Sequence, residues 1–311
     1  TLDLPGGSAG WLEVRESEDD GGDELAGRIL WGFGSVVDLA RVMVVDGELY
    51  LAREYRVSKE GADGKVEWET KYEIISGKME GDGLELHRVI PLKVQSDVEG
   101  GSNALRLQTF LGKRIPDLPA PPDLASVKFG EAVELVQKDS LDGWVLTDEG
   151  SRSGWSVRDG VLHNVPTDDN KGGWGNLRTV EEFEDFNIAL EVKIAEGGNS
   201  GVYLRGIYEV QVEDSFEKGL DSHHMGAIYS RITPSVKAER PAGEWSGLDI
   251  TLVDRHVTVV LNGVVIIDNA PLLGCTGGAL WSDEFRPGPI YLQGDHGAVS
   301  FRNVVVRRVL D

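Results

Sequence analysis

Residues 185–195 read DFNIALEVKIA, with Phe186, Ile188, Leu190, Val192 and Ile194 at strict alternate positions. Side chains along a β-strand point to opposite faces in turn, so this period of two predicts a strand with one face in a core and the other in water. The same signal returns in TLVDRHVTVVLNGVVII (251–267), where Asn262-Gly263 has the chemistry of a type I′ turn. It returns again in GPIYLQGDHGAVSFRNVVVRRV (288–309), read as two closing strands around a Gly294–Gly297 turn. LDGWVL (141–146) and GWSVRDGVLHN (154–164) add short strands, the latter folded at Asp159-Gly160. Long helical patterns are absent, so curved antiparallel sheets packed as a sandwich are expected.

Upstream, a second series of strands is predicted: WLEV (11–14), GRILWGF (27–33), RVMVV (41–45), ELYLAREY (48–55), WETKYEII (68–75), LELHRVI (84–90) and ALRLQTFLG (104–112). Turn signals at Asp46-Gly47, Ala62-Asp63-Gly64 and Gly81-Asp82-Gly83 space them as hairpins, which fits an antiparallel meander closed into a small barrel or sandwich. Between the two series, IPDLPAPPDL (115–124) holds four of the chain's twelve prolines. Clustered prolines cannot donate to a sheet and favour an extended chain, so a linker is expected there. The predicted organisation is an all-β accessory domain over 1–114, a linker over 115–124 and a jelly-roll sandwich over 125–311.

The 311 residues include 40 glycines, nearly twice the usual ~7%, scattered as turns between strands. A formal charge of −22 would repel phosphate backbones and anionic membranes, which argues against nucleic acid and lipid as partners. The one cysteine, Cys275, excludes an intrachain disulfide and reads as a buried thiol rather than a nucleophile. No apolar run approaches the ~18 residues of a membrane span. The chain starts at Thr1 without a methionine or signal-like segment and reads as a mature or trimmed product. A periplasmic or extracellular bacterial location is expected.

The chemistry gathers in NSGVYLRGIYEVQVED (199–214), where two short alternating runs lie back to back. If both are strands, Arg205, Glu209 and Gln211 share one polar face, with Tyr208, Val210 and Val212 on the other. The ordered motifs GWSVRDGVLHN (154–164), NLRTVEEFEDFNIALEVKIAEGGNSGVYLRG (176–206), YEVQVED (208–214), GAIYS (226–230), GEWS (243–246), VLNGV (260–264) and GPIYLQGDHGAVSFRNVVV (288–306) resemble the 3-keto-disaccharide hydrolase family of concanavalin-like sandwich domains, over about 129–309. The family commonly reads GEWN where this chain has Ser246, a shorter arm that predicts a different substrate fit.

What the resemblance implies is cleavage of the glycosidic bond of a sugar already oxidised at C3, by elimination and hydration or by direct hydrolysis. A ketone at C3 acidifies the hydrogen at C2. A base can then remove it, the enolate can expel the C1 substituent, and water can add back. That route needs a base near C2, a positive or hydrogen-bonding group near the C3 oxygen, and a proton for the leaving oxygen, but no nucleophile-and-acid carboxylate pair.

Glu209 is the leading base or metal ligand, and Arg205 is placed near the developing enolate, with an ion pair to Glu209 as the plainer reading. His296, beside Gln293 and Asp295, titrates near neutrality and can act as base or acid. Gln211 and Gln293 are read as hydroxyl binders and Tyr229 as a cap on the pocket. Trp174 and Trp245 are read as stacking surfaces for a pyranose ring, and Asp214 as either a turn residue or a sugar or cation ligand. The neighbouring pair His223-His224 reads as loop packing, since adjacent strand residues point oppositely, and Asn262 belongs to its turn. No cofactor is required by the sequence, although a divalent cation such as calcium is compatible with it, and the expected partner is a 3-keto saccharide. The competing expectations are a lectin-like carbohydrate-binding module without turnover and a structural surface protein. Titratable groups in a closed pocket would favour the enzyme.

Overall fold

A computed structural model of the protein describes residues 1–17, 24–60, 66–91, 105–166 and 173–310. The described residues form β-strands and no helix, in two compact units, Thr1–Pro116 and Asp117–Asp311. The expected Ala62-Asp63-Gly64 turn lies outside the described residues.

In the first unit, β1 (Leu2–Asp3), β2 (Ala9–Glu16), β3 (Leu25–Trp31), β4 (Val37–Asp38), β5 (Arg41–Val45), β6 (Glu48–Glu60), β7 (Val66–Glu80), β8 (Gly83–Pro91) and β9 (Leu105–Lys113) pair in the order β2-β1-β9-β8-β7-β6-β5-β3-β4. A further β2–β3 pairing closes eight of them into a barrel, with β4 attached to β3. β6 and β7 run longer than the predicted 48–55 and 68–75: their ladder continues to Glu60↔Val66, and at its other end β7 continues to pair Glu80 with Gly83 of β8. Alternate residues fill the interior: Leu2, Ile29, Val42, Leu51, Ile75, Leu86 and Phe110 are buried in one cluster. Trp31 meets Phe110 edge to face at 5.3 Å and lies under the Arg53 and Arg88 guanidinium groups. Both arginines pair with Glu73, so cations inside the barrel are neutralised as well as stacked.

The second unit continues with β10 (Lys128–Phe129), β11 (Val133–Glu134), β12 (Trp144–Leu146), β13 (Trp155–Arg158), β14 (Val161–Asn164), β15 (Leu177–Phe183), β16 (Phe186–Ile194), β17 (Asn199–Leu204), β18 (Tyr208–Glu213), β19 (Ser246–Val253), β20 (His256–Leu261), β21 (Val264–Pro271), β22 (Gly288–Leu292) and β23 (Val299–Leu310). One sheet has the order β13-β14-β23-β16-β19-β20-β21, with β10 and β11 paired to β23; the other is β12-β15-β22-β17-β18. The alternating side chains of β16 all point inward and are buried, as are Val202, Leu204, Val210, Val212, Ile290 and Leu292 of the smaller sheet. This is the sandwich that the period-two pattern predicts. Hairpin chemistry is equally direct: Asp46-Gly47, Asp159-Gly160 and Asn262-Gly263 each place two successive residues at positive φ, as a type I′ turn requires.

Candidate functional site

The β17–β18 hairpin sets the register of the site. Tyr203 faces Glu209 and Gly201 faces Gln211, while Tyr203 also pairs with Tyr291 of β22, and Tyr291 with Arg178 of β15. Directly opposed residues of an antiparallel sheet share a face, so Arg178, Tyr291, Tyr203 and Glu209 form one row across four strands. Gln293, Gly201 and Gln211 form the next row, two residues along each chain. The residues between them, among them Leu292, Val202 and Val210, face the core.

Glu209 is only 3% exposed. Its Oε2 lies 2.8 Å from the Tyr203 hydroxyl, and its backbone N–H donates to Thr276 Oγ1 at 2.9 Å. Its carboxyl lies over Gly201, where an added Cβ would overlap Oε1, so only glycine leaves room for this rotamer. Burial raises its pKa to about 8, opposed in part by the Tyr203 hydroxyl and by the field of His296. The Tyr203 and Tyr291 rings stack at 4.1 Å, and burial holds both phenols above their ordinary range.

His296 stands on the loop that follows β22. Asn176 Oδ1 accepts the Gly294 and Asp295 amides at 2.7 and 3.2 Å, and Asn164 Nδ2 donates to the Gly294 and Gly297 carbonyls at 2.8 Å each. Gly294 is packed so closely on Trp155 and the Gly175 carbonyl that a side chain would collide. His296 Nδ1 lies 2.6 Å from Asp295 Oδ1, a contact that holds the imidazole above its ordinary pKa, with burial acting in the opposite direction. Its charge is felt at Glu209.

Gln211 Nε2 donates to the His223 carbonyl at 3.0 Å, whereas its Oε1, like Gln293 Oε1, is buried without a partner among the described residues. Two orphaned amide oxygens on one face are acceptors for ligand hydroxyls. Tyr229 joins them, because its segment flanks β18: its amide donates to the Glu209 carbonyl at 3.0 Å and its ring meets His223 edge to face. Among the described residues no group of three or more His, Cys, Asp or Glu is placed to hold a metal ion.

Three expected residues are placed elsewhere. Arg205 does not continue the polar face, nor does it pair with Glu209. Arg205 and Gly206 both take positive φ in the hairpin turn, which breaks the alternation, and the Arg205 guanidinium donates to the Glu284 and Arg286 carbonyls. Asp214 is a turn residue, its Oδ2 accepting the Gly197 amide at 2.8 Å. Trp245 immediately precedes β19 of the larger sheet, where Lys193 and Arg302 cover its ring, and Ser246 lies on β19 with Asn262 Nδ2 at 3.4 Å from its hydroxyl. Trp174 stands two residues before Asn176, with the Arg152 guanidinium 4.3 Å from the centre of its ring.

Sequence reasoning missed Tyr203, Tyr291, Arg178 and Asn176, because which strands neighbour one another is not a local property. Counting back from the turn would have set Tyr203 opposite Glu209. Arg178 forms no ion pair among the described residues; its Nη1 has one long bond, 3.4 Å, to the Thr179 carbonyl.

Residues 131–307 match the family model described as a 3-keto-alpha-glucoside-1,2-lyase-like domain. Among solved structures, a candidate glycosyl hydrolase of Parabacteroides distasonis ATCC 8503 is 30% identical, over 63% of this chain and 94% of its own, with a TM-score of 0.47. A second from the same organism is 23% identical, over 58% of this chain and 94% of its own, at 0.46. A carbohydrate binding module of Bacillus subtilis is 14% identical, over 52% of this chain and 93% of its own, at 0.36. No curated protein matches.

Proposed function

The chain belongs to the 3-keto-alpha-glucoside-1,2-lyase-like domain family, and from that premise we propose that its second unit acts on carbohydrate and breaks the glycosidic bond of 3-keto-glycosides by elimination followed by hydration. The observation that carries the reading is the buried carboxyl of Glu209 on a polar sheet face, its pKa raised to about 8, with the half-exposed His296 of the following loop near enough for its charge to be felt there. Burying an ionisable group with so few partners costs stability, which a purely structural or lectin-like face has no need to bear.

In this reading the Arg178 guanidinium, in the same row as Glu209 and without a carboxylate partner among the described residues, takes the place beside the C3 oxygen that the sequence suggested for Arg205. Gln211 and Gln293 accept sugar hydroxyls through their unpaired amide oxygens. Glu209 and His296 move the two protons. One accepts the C2 hydrogen as its electron pair enters the C2–C3 bond and the ketone becomes an enolate. The other protonates the C1 oxygen as that bond breaks and a C1–C2 double bond forms. Water then adds across the double bond, hydroxyl to C1 and hydrogen to C2.

Incubation with a 3-keto-disaccharide in heavy water tests the scheme. Deuterium at C2 of the released 3-ketoglucose is the expected result. Release without exchange would replace elimination by direct hydrolysis, and binding without cleavage would leave a lectin-like module.

A further inference from the structure

The Tyr203 hydroxyl lies 2.8 Å from two oxygens, Glu209 Oε2 and the Gly277 carbonyl. It has one proton to give. A carbonyl can only accept, so if Tyr203 donates to Gly277, the contact with Glu209 is a hydrogen bond only when Glu209 is itself the donor and therefore a neutral acid. If Glu209 is ionised, the Tyr203 proton belongs to it and the Gly277 carbonyl faces a lone pair. Both contacts are satisfied together in one protonation state alone.

We infer that Tyr203 is a hydroxyl switch for Glu209, its proton resting on the Gly277 carbonyl while Glu209 is a neutral acid and turning to Glu209 as that acid gives up its proton. This deepens the reading above and rests on it for the reaction served. It makes Glu209 the acid and leaves the C2 hydrogen to His296, which Asp295 orients. In the step, the Glu209 hydroxyl turns from Tyr203 toward the C1 oxygen, its O–H bond breaks as the proton bonds there, and the C1–O pair stays with the leaving group. The Tyr203 O–H bond stays intact and only rotates.

The geometry suits a switch whose heavy atoms do not move. The Tyr203 ring is 1% exposed and stacked on Tyr291, and the hydroxyl is boxed by Gly278, where a Cβ would come within 2.7 Å. The segment carrying Gly277 is fixed on the same hairpin: the Thr276 amide donates to the Ile207 carbonyl at 2.9 Å, its hydroxyl does so at 3.1 Å, and the Leu280 amide donates to the Gly206 carbonyl. A donor already in place where negative charge develops stabilises the transition state without rearrangement. The titratable groups around Glu209 are Tyr203, Tyr291 and Tyr229, with Asp295 and His296 on the loop; Tyr203 and His296 favour its ionised form, while Asp295 opposes it.

Infrared spectroscopy of the full chain without substrate tests the switch. A protonated-carboxyl band that is missing in Glu209→Gln should be present at pH 7 and titrate out near pH 8. In Tyr203→Phe the ionised form loses its donor, so the same titration should move to higher pH, and the alkaline limb of the pH–rate profile should move with it while kcat falls roughly 10-fold or more. A merely structural role would leave both midpoints in place. Absence of the band at pH 7, or an unmoved titration in a folded Tyr203→Phe, overturns the inference. Should that variant not fold, the wild-type titration decides by itself. If the band behaves as stated but no keto-glycoside is cleaved, the switch stands and the proposed substrate falls.

Discussion

At the scale of single residues the controlling effect is the burial of the Glu209 carboxyl away from water. An unfolded glutamate ionises near its ordinary 4.5, whereas the folded carboxyl holds its proton to about 8. With the folded pKa raised, the stability present below pH 4.5 is lost as pH climbs through 8, because ionisation favours the unfolded chain across that window. Glu209→Gln keeps the shape and removes the charge. It should raise Tm at pH 8 and change it little at pH 4.5, while lowering kcat by ~10²-fold or more; calorimetry at the two pH values and an assay on the same sample check both. An acid must hold its proton and a base must lack one. Turnover should therefore rise as His296 loses the proton that Asp295 helps it keep, then fall as pH passes about 8. A pH–rate profile without the alkaline fall would remove Glu209 from the acid role. At this scale the sequence was a fair guide to Glu209 and Gln211, which sit two apart on a strand. It misplaced Arg205, because one residue of positive φ at a turn redirects a side chain, and nothing in an alternating pattern announces it.

The elements explain why glycines sit among the residues of the candidate site. Gly201 clears the space into which Glu209 folds, so Gly201→Ala should push the carboxyl out of contact with Tyr203. We expect kcat to fall as far as in Glu209→Gln, with the pKa of Glu209 returning toward 4.5 as the group reaches water. The infrared titration distinguishes this from unfolding. The His296 loop is held differently, through Asn176, whose Oδ1 takes two amides and whose Nδ2 donates to the Tyr291 hydroxyl at 2.9 Å. Asn176→Ala strands those groups at about 1–3 kcal/mol for each one buried. Faster hydrogen exchange at Gly294 and Asp295, and a kcat loss with little change in the Glu209 titration, are the expected signs. Turn chemistry made Asp159-Gly160 and Asn262-Gly263 readable, since local backbone strain dictates their residue types. Nothing local marks Asn176 as the clamp on a loop more than a hundred residues away.

Over the whole molecule, every residue assigned to the site lies in Asp117–Asp311, which is also where the family model matches. Residues 117–311 produced alone should keep kcat on a keto-disaccharide within a few-fold of the full chain, and a loss of turnover in a folded sample would bring the barrel into the reaction. The barrel shows how far sequence carries: alternation and turn residues predicted seven of its nine strands, but not β4 or the two-residue β1 that bridges β2 and β9, and closure depends on that bridge and on β2 meeting β3. By itself the sequence determined the all-β class, the sandwich with its buried β16 face, the hairpin turns and the polar residues of β18, because period and turn conformation are encoded by near neighbours. The tertiary structure alone decided that Arg178, Tyr291, Tyr203 and Glu209 stand in one row, that the charge of His296 reaches Glu209, and that the Trp245 ring packs against residues of the other sheet. Strand order joins residues far apart in the chain, and the burial that raises the pKa of Glu209 exists only once those strands have closed around it.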